Sequence, residues 1–248
     1  MAKAILITGA SRGIGAATAT LAAAQGYSVA VNYRLRRDAA DAVVLAIESA
    51  GGRAFAVQAD VSVEADVVRM FDECDRRLGR LSALVNNAGI LETQARLDSM
   101  DAGRLQRVFS TNIIGPFLCA REAVRRMSTR HGGAGGAIVN VSSMAARLGA
   151  PREYVDYAAS KGAIDTFTIG LAAEVAEEGI RVNAVRPGLI YTDIHASGGE
   201  PGRVDRVKAA VPMKRGGTPD EVARAILWLL SDEASYATGS ILDVSGGR

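Results

Sequence analysis

The strongest constraint on this chain lies in its first fifteen residues. Lys3-Ala4-Ile5-Leu6-Ile7 is an apolar run of strand length, and Thr8-Gly9-Ala10-Ser11-Arg12-Gly13-Ile14-Gly15 follows at once. An Ala-rich stretch from Ala16 to Gln25 then has helical character. Strand, glycine turn and helix, in that order, are what a dinucleotide-binding unit requires. In such a unit Gly9 permits the tight turn, Gly13 lets backbone approach a pyrophosphate, and Gly15 lets the helix pack closely on the strand. The helix N-terminus offers unpaired N–H groups and partial positive charge to phosphates. Taken alone, the cluster fits an ordinary glycine turn equally well, so the rest of the chain has to decide.

The rest alternates. Further strands are predicted at Ser28–Asn32, Arg53–Gln58, Leu81–Val85, Ala137–Val141, Arg181–Arg186 and Ser240–Val244. Helices are predicted at Asp38–Ser49, from Ser62 to Leu78, at Tyr157–Val175 and at Pro219–Leu230. A long one is predicted over Met100–Thr129, with an irregularity near Pro116. Ser62 is a candidate cap for its helix, with Ala65 where a capping box would place an acid. The strands are Ala, Ile, Val and Leu without polar alternation, which predicts a parallel sheet covered on both faces. A length of 248 residues suits one such α/β domain spanning 1–248, a doubly wound Rossmann sheet. Tyr191 to Gly217 is rich in Gly, Pro and charge with weak periodicity, and is predicted to be a mobile substrate lid.

Composition excludes several classes of function. A net charge of +2 with no basic stripe argues against nucleic acid. No 18-residue apolar span is present, and the first strand begins almost at Met1, so neither membrane insertion nor a signal peptide is expected. Cys74 and Cys119, both in predicted helices, read as packing thiols of a reducing cytoplasm. His131 and His195 have no spaced partners, so no metal site is expected.

The strand ends carry the chemistry. An NAD-preferring fold usually places a carboxylate at the end of the second strand, to bind the adenosine ribose. Here Asn32-Tyr33-Arg34-Leu35-Arg36-Arg37 has none before Asp38. Arg34 is instead placed to meet a 2′-phosphate, with Arg12 approaching from the glycine turn, because a guanidinium forms a rigid fork that suits phosphate. The plainer reading is a solvated basic loop, and it is the reading given to Arg36 and Arg37. Asp60-Val61 lies past the third strand, where a carboxylate could accept from the adenine amine. Asn86-Asn87-Ala88-Gly89 ends the fourth strand, where asparagines can hold neighbouring backbone. Asn112 inside a helix needs a reason. Tyr157 and Lys161 are four apart and share a helix face. A tyrosine, with an ordinary pKa of about 10, becomes a useful acid or base if an ammonium and an oxidised nicotinamide ring stabilise its phenolate. Ser143 could stabilise negative charge developing on a carbonyl, and Asn112 could hold a water beside Lys161. Separately these are surface decoration, a cap and a helix polar residue; together with the glycine turn they form a site.

In this combination the chain resembles the short-chain dehydrogenases/reductases, most of all the branch of 3-oxoacyl-carrier-protein reductases and bacterial glucose dehydrogenases. The resemblance covers nearly the whole length. It runs from Thr8-Gly9 to Gly15 through Asn86 to Gly89, Asn112, Ser143, Tyr157-Ala158-Ala159-Ser160-Lys161, Pro187-Gly188 and Gly246-Gly247. It implies a catalytic set of Asn112, Ser143, Tyr157 and Lys161, with Lys161 also holding the nicotinamide ribose. It implies cofactor contacts from Gly9, Ser11, Arg12, Gly13, Ile14 and Gly15, from Asn32, Tyr33 and Arg34, and from Asp60, Val61, Asn87, Ala88 and Gly89. Pro187, Gly188 and Ile190 complete that set, with Thr192 at the nicotinamide carboxamide. A homotetramer is implied as well, with Gly162, Ala163 and Gly170 permitting close helix approach. Of the two serines, the family pattern favours Ser143, leaving Ser142 a structural neighbour. The interval from Ser143 to Tyr157 is one residue longer than this branch leads one to expect. The extra residue falls within Gly149 to Asp156 and is expected to bulge a loop beside the substrate. Tyr154 lacks an ammonium four residues on and is the less suitable acid.

The expected activity is hydride transfer between NADP(H), with NAD also conceivable, and a carbonyl or secondary alcohol. A 3-oxoacyl thioester or related ketone is the first candidate substrate. The alternatives are an NAD(P)-dependent sugar or polyol dehydrogenase and, outside enzymes, a nicotinamide-binding scaffold or redox sensor. The segments Leu91–Asp101 and Tyr191–Gly217 are expected to line the substrate pocket, with His195, Arg96 and Arg147 as possible contacts or plain surface. Arg125, Arg126 and Arg130 are candidates for a carrier-protein patch, or simply a solvated helix face.

Overall fold

The computed structural model describes residues 3–248. It opens with β1 (Lys3–Ile7), α1 (Gly13–Ala24), β2 (Tyr27–Tyr33), α2 (Arg37–Ser49), β3 (Arg53–Gln58), α3 (Glu64–Leu78) and β4 (Ala83–Asn86). Then come α4 (Ala102–Phe109), α5 (Gly115–Met127), β5 (Gly136–Val141), α6 (Ala145–Leu148), α7 (Val155–Val175) and β6 (Ile180–Pro187). The chain closes with α8 (Ile194–Ser197), α9 (Arg203–Val207), α10 (Pro219–Leu230) and β7 (Ile241–Val244).

All seven strands are parallel, in the order β3-β2-β1-β4-β5-β6-β7. The order in which strands are added reverses between β1 and β4, and the crevice at that point, outside the strand ends, is where such sheets bind ligands. The strands show no polar alternation because both faces are buried. Ile5, Ile7, Val29, Val31 and Val139 pack toward one layer, against α1 and α10. Leu6, Ala30, Leu84 and Ile138 pack toward the other, with Phe71, Cys119 and Ala172 of α3, α5 and α7. This is the predicted doubly wound α/β sheet. Cys74 and Cys119 are free buried thiols in the second layer. Among the described residues, no helix is long and apolar enough to cross a membrane and no cluster could hold a metal ion.

Two local expectations, Ser62 as a cap and Tyr157 as the start of its helix, need correction. The long helix expected over Met100–Thr129 runs unbroken from α4 through a wider π-helical turn at Ser110–Ile114 into α5, and that turn is the irregularity near Pro116. It starts after Asp101, whose side chain accepts from Arg104 N–H at 2.7 Å. Pro116 then sits at the start of α5, where its missing N–H is tolerated. Ser62 caps nothing: the cap position of α3 is Val63, without a side-chain bond, and Ser62 donates its hydroxyl to Asp60 Oδ1 at 2.6 Å. Helix α7 opens at Val155 rather than Tyr157, because Ala158 N–H already reaches Tyr154 O at 2.9 Å. Segment 191–217 carries α8 and α9, and its ends are pinned by Tyr191 N–H to Gly217 O (3.0 Å) and Gly217 N–H to Leu189 O (2.8 Å).

Candidate active site

One cavity of about 880 Å³ opens along the carboxyl edge of the sheet. Its walls include Gly9, Ser11, Arg12, Gly13 and Ile14 from the glycine turn and Asn32, Tyr33 and Arg34 from the end of β2. Asp60 and Val61 line it after β3, and Asn87, Ala88 and Gly89 after β4. Ser143, Tyr157, Lys161, Pro187, Gly188, Ile190 and Thr192 line it further along. Two residues singled out in the sequence stand behind the wall instead. A Cβ on Gly15 would fall 2.6 Å from both Asn87 Nδ2 and Gly9 O, so Gly15 supports the turn rather than facing a ligand. Asn112 is fully buried.

The glycine turn is braced from two neighbouring strands. Asn32 accepts Gly9 N–H at 3.0 Å and donates to Val57 O and Ala59 O, so its amide is occupied by backbone. Asn87 donates to Thr8 O and Gly9 O, while the Thr8 hydroxyl accepts the N–H groups of Asn87 and Ala88 at 3.0 Å. These asparagines are scaffolding: they fix where the backbone of the turn lies. Helix α1 has no side-chain cap and no acid in its first turn, so its leading N–H groups are left for an anion. That is the donor set a pyrophosphate needs, and the residues present fit a dinucleotide.

At the β2 end Arg34 is half exposed, with Nη1 3.6 Å from Asp60 Oδ2. Asp38, the first acid after β2, is gripped by Arg36 through bonds of 2.8 and 3.0 Å, which hold its carboxyl down at about 2. It is therefore not offered to a ribose. Arg36 lines the rim, contrary to its reading as mere solvated loop, whereas Arg37 pairs with Asp41 outside it.

The other end holds the reactive groups. The i, i+4 spacing on α7 sets Lys161 Nζ 5.5 Å from the Tyr157 ring centroid, and Nζ donates to Val141 O at 2.8 Å. Burial pushes the Tyr157 phenol up to about 12, and the hydrogen bond from Ser143 counters it only in part. Burial also depresses the Lys161 ammonium, to about 8, against a smaller upward pull from Asp165. Ser142 donates to Lys161 O at 3.2 Å and fastens β5 to α7, while Ser143 faces the cavity. Asn112 accepts Ile90 N–H (2.8 Å) and donates to Ile90 O and Ser160 Oγ, which occupies both amide hydrogens and leaves one lone pair of its side-chain oxygen. Pro116, four residues on, has no N–H to give its main-chain carbonyl. Tyr154 is buried with its hydroxyl on Gly198 O at 3.2 Å.

Several substrate-side expectations shift. Of Leu91–Asp101, only Leu91 lines the cavity. Arg96 and Arg147 pair with Asp98 and Asp243 and do not line it. His195 is neither surface nor metal ligand; it is buried in the wall, Nε2 3.0 Å from Ile190 O, and burial lowers its pKa, so the neutral ring donates there. Arg125, Arg126 and Arg130 stand at the wrong end. Gly135 N–H bonds Met127 O and Arg130 pairs with Glu178, which places them where β5 and β6 begin, a strand's length from Ser143. Glu153 and Arg203 line the cavity and were not singled out from sequence, since neither belongs to any periodic pattern. Met144, Leu148, Pro151 and Ile194 add an apolar lining.

Comparison with known proteins agrees with this architecture. Residues 9–248 match the family model described as Enoyl-(Acyl carrier protein) reductase. The chain is 63% identical over 243 residues to an uncharacterized oxidoreductase of Escherichia coli, covering 98% of each. It is 41% identical over 246 residues to 3beta-hydroxysteroid dehydrogenase 1 of Eggerthella lenta, covering 99% of this chain and 93% of the other. A Burkholderia cenocepacia short chain dehydrogenase, solved in complex with NADP, superimposes with a TM-score of 0.91 at 33% identity, over 100% of this chain and 98% of that one. With its parallel sheet, braced glycine turn and Tyr157/Lys161 pair, the chain belongs to the short-chain dehydrogenase/reductase family of NAD(P)(H)-dependent oxidoreductases.

Proposed function

We propose that the chain is an NADP(H)-dependent reductase of ketones, acting on a 3-oxoacyl thioester or a related apolar ketone, and reversibly on the secondary alcohol. The observation that carries this reading is the convergence of Ser143, Tyr157 and Lys161 on one cavity whose neighbouring wall is Leu91, Met144, Leu148, Pro151 and Ile194. The charged residues on that wall, Glu153 and Arg203, are paired with each other, so a sugar's hydroxyls would lose water for few partners, which favours a ketone. The position of the α5 arginines removes them from any carrier contact at the mouth, so the acyl part is recognised by the cavity itself. The basic rim at Arg12 and Arg34, with Asp38 already engaged, supports NADP(H) over NAD(H).

Nicotinamide, when bound, supplies or accepts the hydride. The chain's own residues do the rest. The phenol of Tyr157 and hydroxyl of Ser143 hold the carbonyl oxygen, and Tyr157, un-ionised in this burial, gives it a proton. Lys161, anchored on Val141 O, orients the ribose and passes a proton back to the phenolate that Tyr157 becomes. The Asn112 carbonyl holds the water that leads the replacement proton in, while its amide pins the turn to Ile90 and Ser160. Residues 1–248 act as one cytoplasmic catalytic domain, with 191–217 as its substrate lid hinged at the Ile190–Gly217 pairing. A homotetramer is favoured by α7: nothing lies within 4 Å of where a Cβ on Gly162 or Gly170 would be, beside exposed Phe117 and Ile169.

The test is NADPH oxidation with an acetoacetyl thioester and a set of cyclic ketones, run beside NADP⁺ reduction with glucose. Tyr157→Phe should lower ketone turnover by about 10²- to 10⁴-fold and leave NADPH affinity unchanged. Glucose oxidation without ketone reduction would instead support the sugar dehydrogenase, and NADPH binding without any turnover would support a sensor.

A further inference from the structure

The loop after α6 and the segment 191–217 face each other across the substrate end of the cavity, joined by a cluster of charges and by the Tyr154 hydroxyl on Gly198 O at 3.2 Å. Arg203, the first residue of α9, bonds Glu153 Oε2 through Nη2 at 2.5 Å and lies 3.5 Å from Glu200 Oε2 through Nη1. Its guanidinium carbon stands 5.2 Å from the centre of the Tyr154 ring. Arg206 bonds Glu200 through Nε and Nη2 and lies 3.6 Å from Glu153 Oε1. Gln94 donates to Glu200 at 2.6 Å. The Arg203 side chain is only 13% exposed, and its neighbours hold the Glu153 carboxyl below the usual carboxylate range, Arg203 foremost.

The loop that carries Glu153 is itself strained. Gly149, Ala150 and Arg152 have φ of +73°, +44° and +65°, and two of these are not glycine. Such a backbone persists only where its surroundings hold it. Here the restraints are Ala95 N–H on Glu153 O at 3.0 Å and the Glu153 side chain on Arg203. The strain falls in the stretch expected to hold the additional residue, so the lengthened loop delivers a carboxylate to the opposite wall.

We propose that Glu153 is a positioning residue for the substrate: by gripping Arg203 it fastens segment 191–217 over the substrate end of the cavity, and the clasp opens for binding and release. Glu200 holds Arg203 from the segment's own side, and the two acids and two guanidiniums neutralise one another. The inference rests on the reading of 191–217 as a lid.

The lid carries its own trypsin sites at Arg203, Arg206, Lys208, Lys214 and Arg215, and neither Glu153→Gln nor Glu153→Asp removes one. Limited trypsinolysis of the full chain, with and without NADPH, therefore reads lid opening without needing turnover. At low salt Glu153→Gln should be cut within 203–215 about fivefold faster than wild type. With ketone, KM should rise at least about threefold while kcat and NADPH affinity hold. Equal cleavage of wild type and variant at low salt would overturn the clasp. If Glu153→Gln proves globally unstable, the same comparison with Glu153→Asp, which keeps the charge but falls short of Arg203, decides. Should no ketone be reduced, the functional reading fails while the cleavage rates still judge the clasp.

Discussion

Without cofactor, Tyr157 titrates near 12 and Lys161 near 8. At pH 8 about one phenol in 10⁴ is then ionised, too few to accept a proton from an alcohol at a useful rate. For the oxidative direction to run near pH 8, the loaded site must bring the phenol down by about four pH units, roughly 5 kcal/mol. A single cation about 5 Å away contributes roughly 3 kcal/mol at an effective dielectric of about 20. Lys161 over the ring is one such cation, but in the empty site burial disfavours its charge as well as the phenolate's. The oxidised nicotinamide is the other, and only the two together reach the required magnitude. The assay has two arms. Difference absorbance of tyrosinate between wild type and Tyr157→Phe, without cofactor, should show no ionisation below about pH 11. Alcohol oxidation with NADP⁺ should rise with an apparent pKa well below 10, and Lys161→Met should move that midpoint up by about two pH units. Phenolate appearing by pH 9 in the cofactor-free protein would refute the burial argument. An oxidation profile that Lys161→Met leaves in place would refute the two-cation argument.

Other consequences are open to simpler measurements. Arg34→Ala should reduce the preference for NADPH over NADH by about 10- to 100-fold, read from the ratio of dissociation constants; an unchanged ratio would end its role at the 2′-phosphate. Asp156→Asn strands Arg104, whose Nε and Nη2 lie 2.7 and 3.2 Å from the carboxylate in a buried pair. That should cost about 3–5 kcal/mol and lower Tm by roughly 6–20 °C in calorimetry, and a loss under 2 °C would contradict it. Lys161 is depressed on folding from 10.5 to about 8, so its stability contribution is full above 10.5 and is lost as pH falls through 8. Lys161→Met should therefore gain most in Tm over wild type below pH 8, with the gain disappearing above about 10.5; a gain independent of pH would exclude a buried cation as its source.

What was legible in the sequence was whatever repeats or sits at a fixed offset from something that repeats. The strands could be found because burial on both faces demands unbroken apolar runs. The glycine turn could be found because its glycines answer to backbone geometry within eight residues, and Tyr157 and Lys161 because a helix fixes what four residues apart means. The choice of Ser143 over Ser142 came from the family pattern alone, since both serines line the cavity and the bond from Ser142 to Lys161 O is what sets them apart.

The remainder depended on relations between segments that no local period records. Asn112 was suspected because an asparagine in a helix competes with the backbone, but the π-helical turn around it answers to Ile90 and Ser160, 22 and 48 residues away. The amide thereby holds the turn to two distant segments, a role no helical period announces. The α5 arginines looked like a docking patch only while the direction of their helix relative to the site was unknown, and helix direction in a parallel sheet puts a helix C-terminus at the far edge. Glu153 and Arg203 are 50 residues apart and look like ordinary surface charge until the fold brings them together. A length difference of one residue was visible, yet its consequence was not, because a loop's effect lies in where it delivers a side chain. Substrate choice in this fold is set by such deliveries across the cavity, whereas the chemistry is set by offsets along one strand end and one helix. That is why the sequence names the reaction more readily than the molecule it acts on.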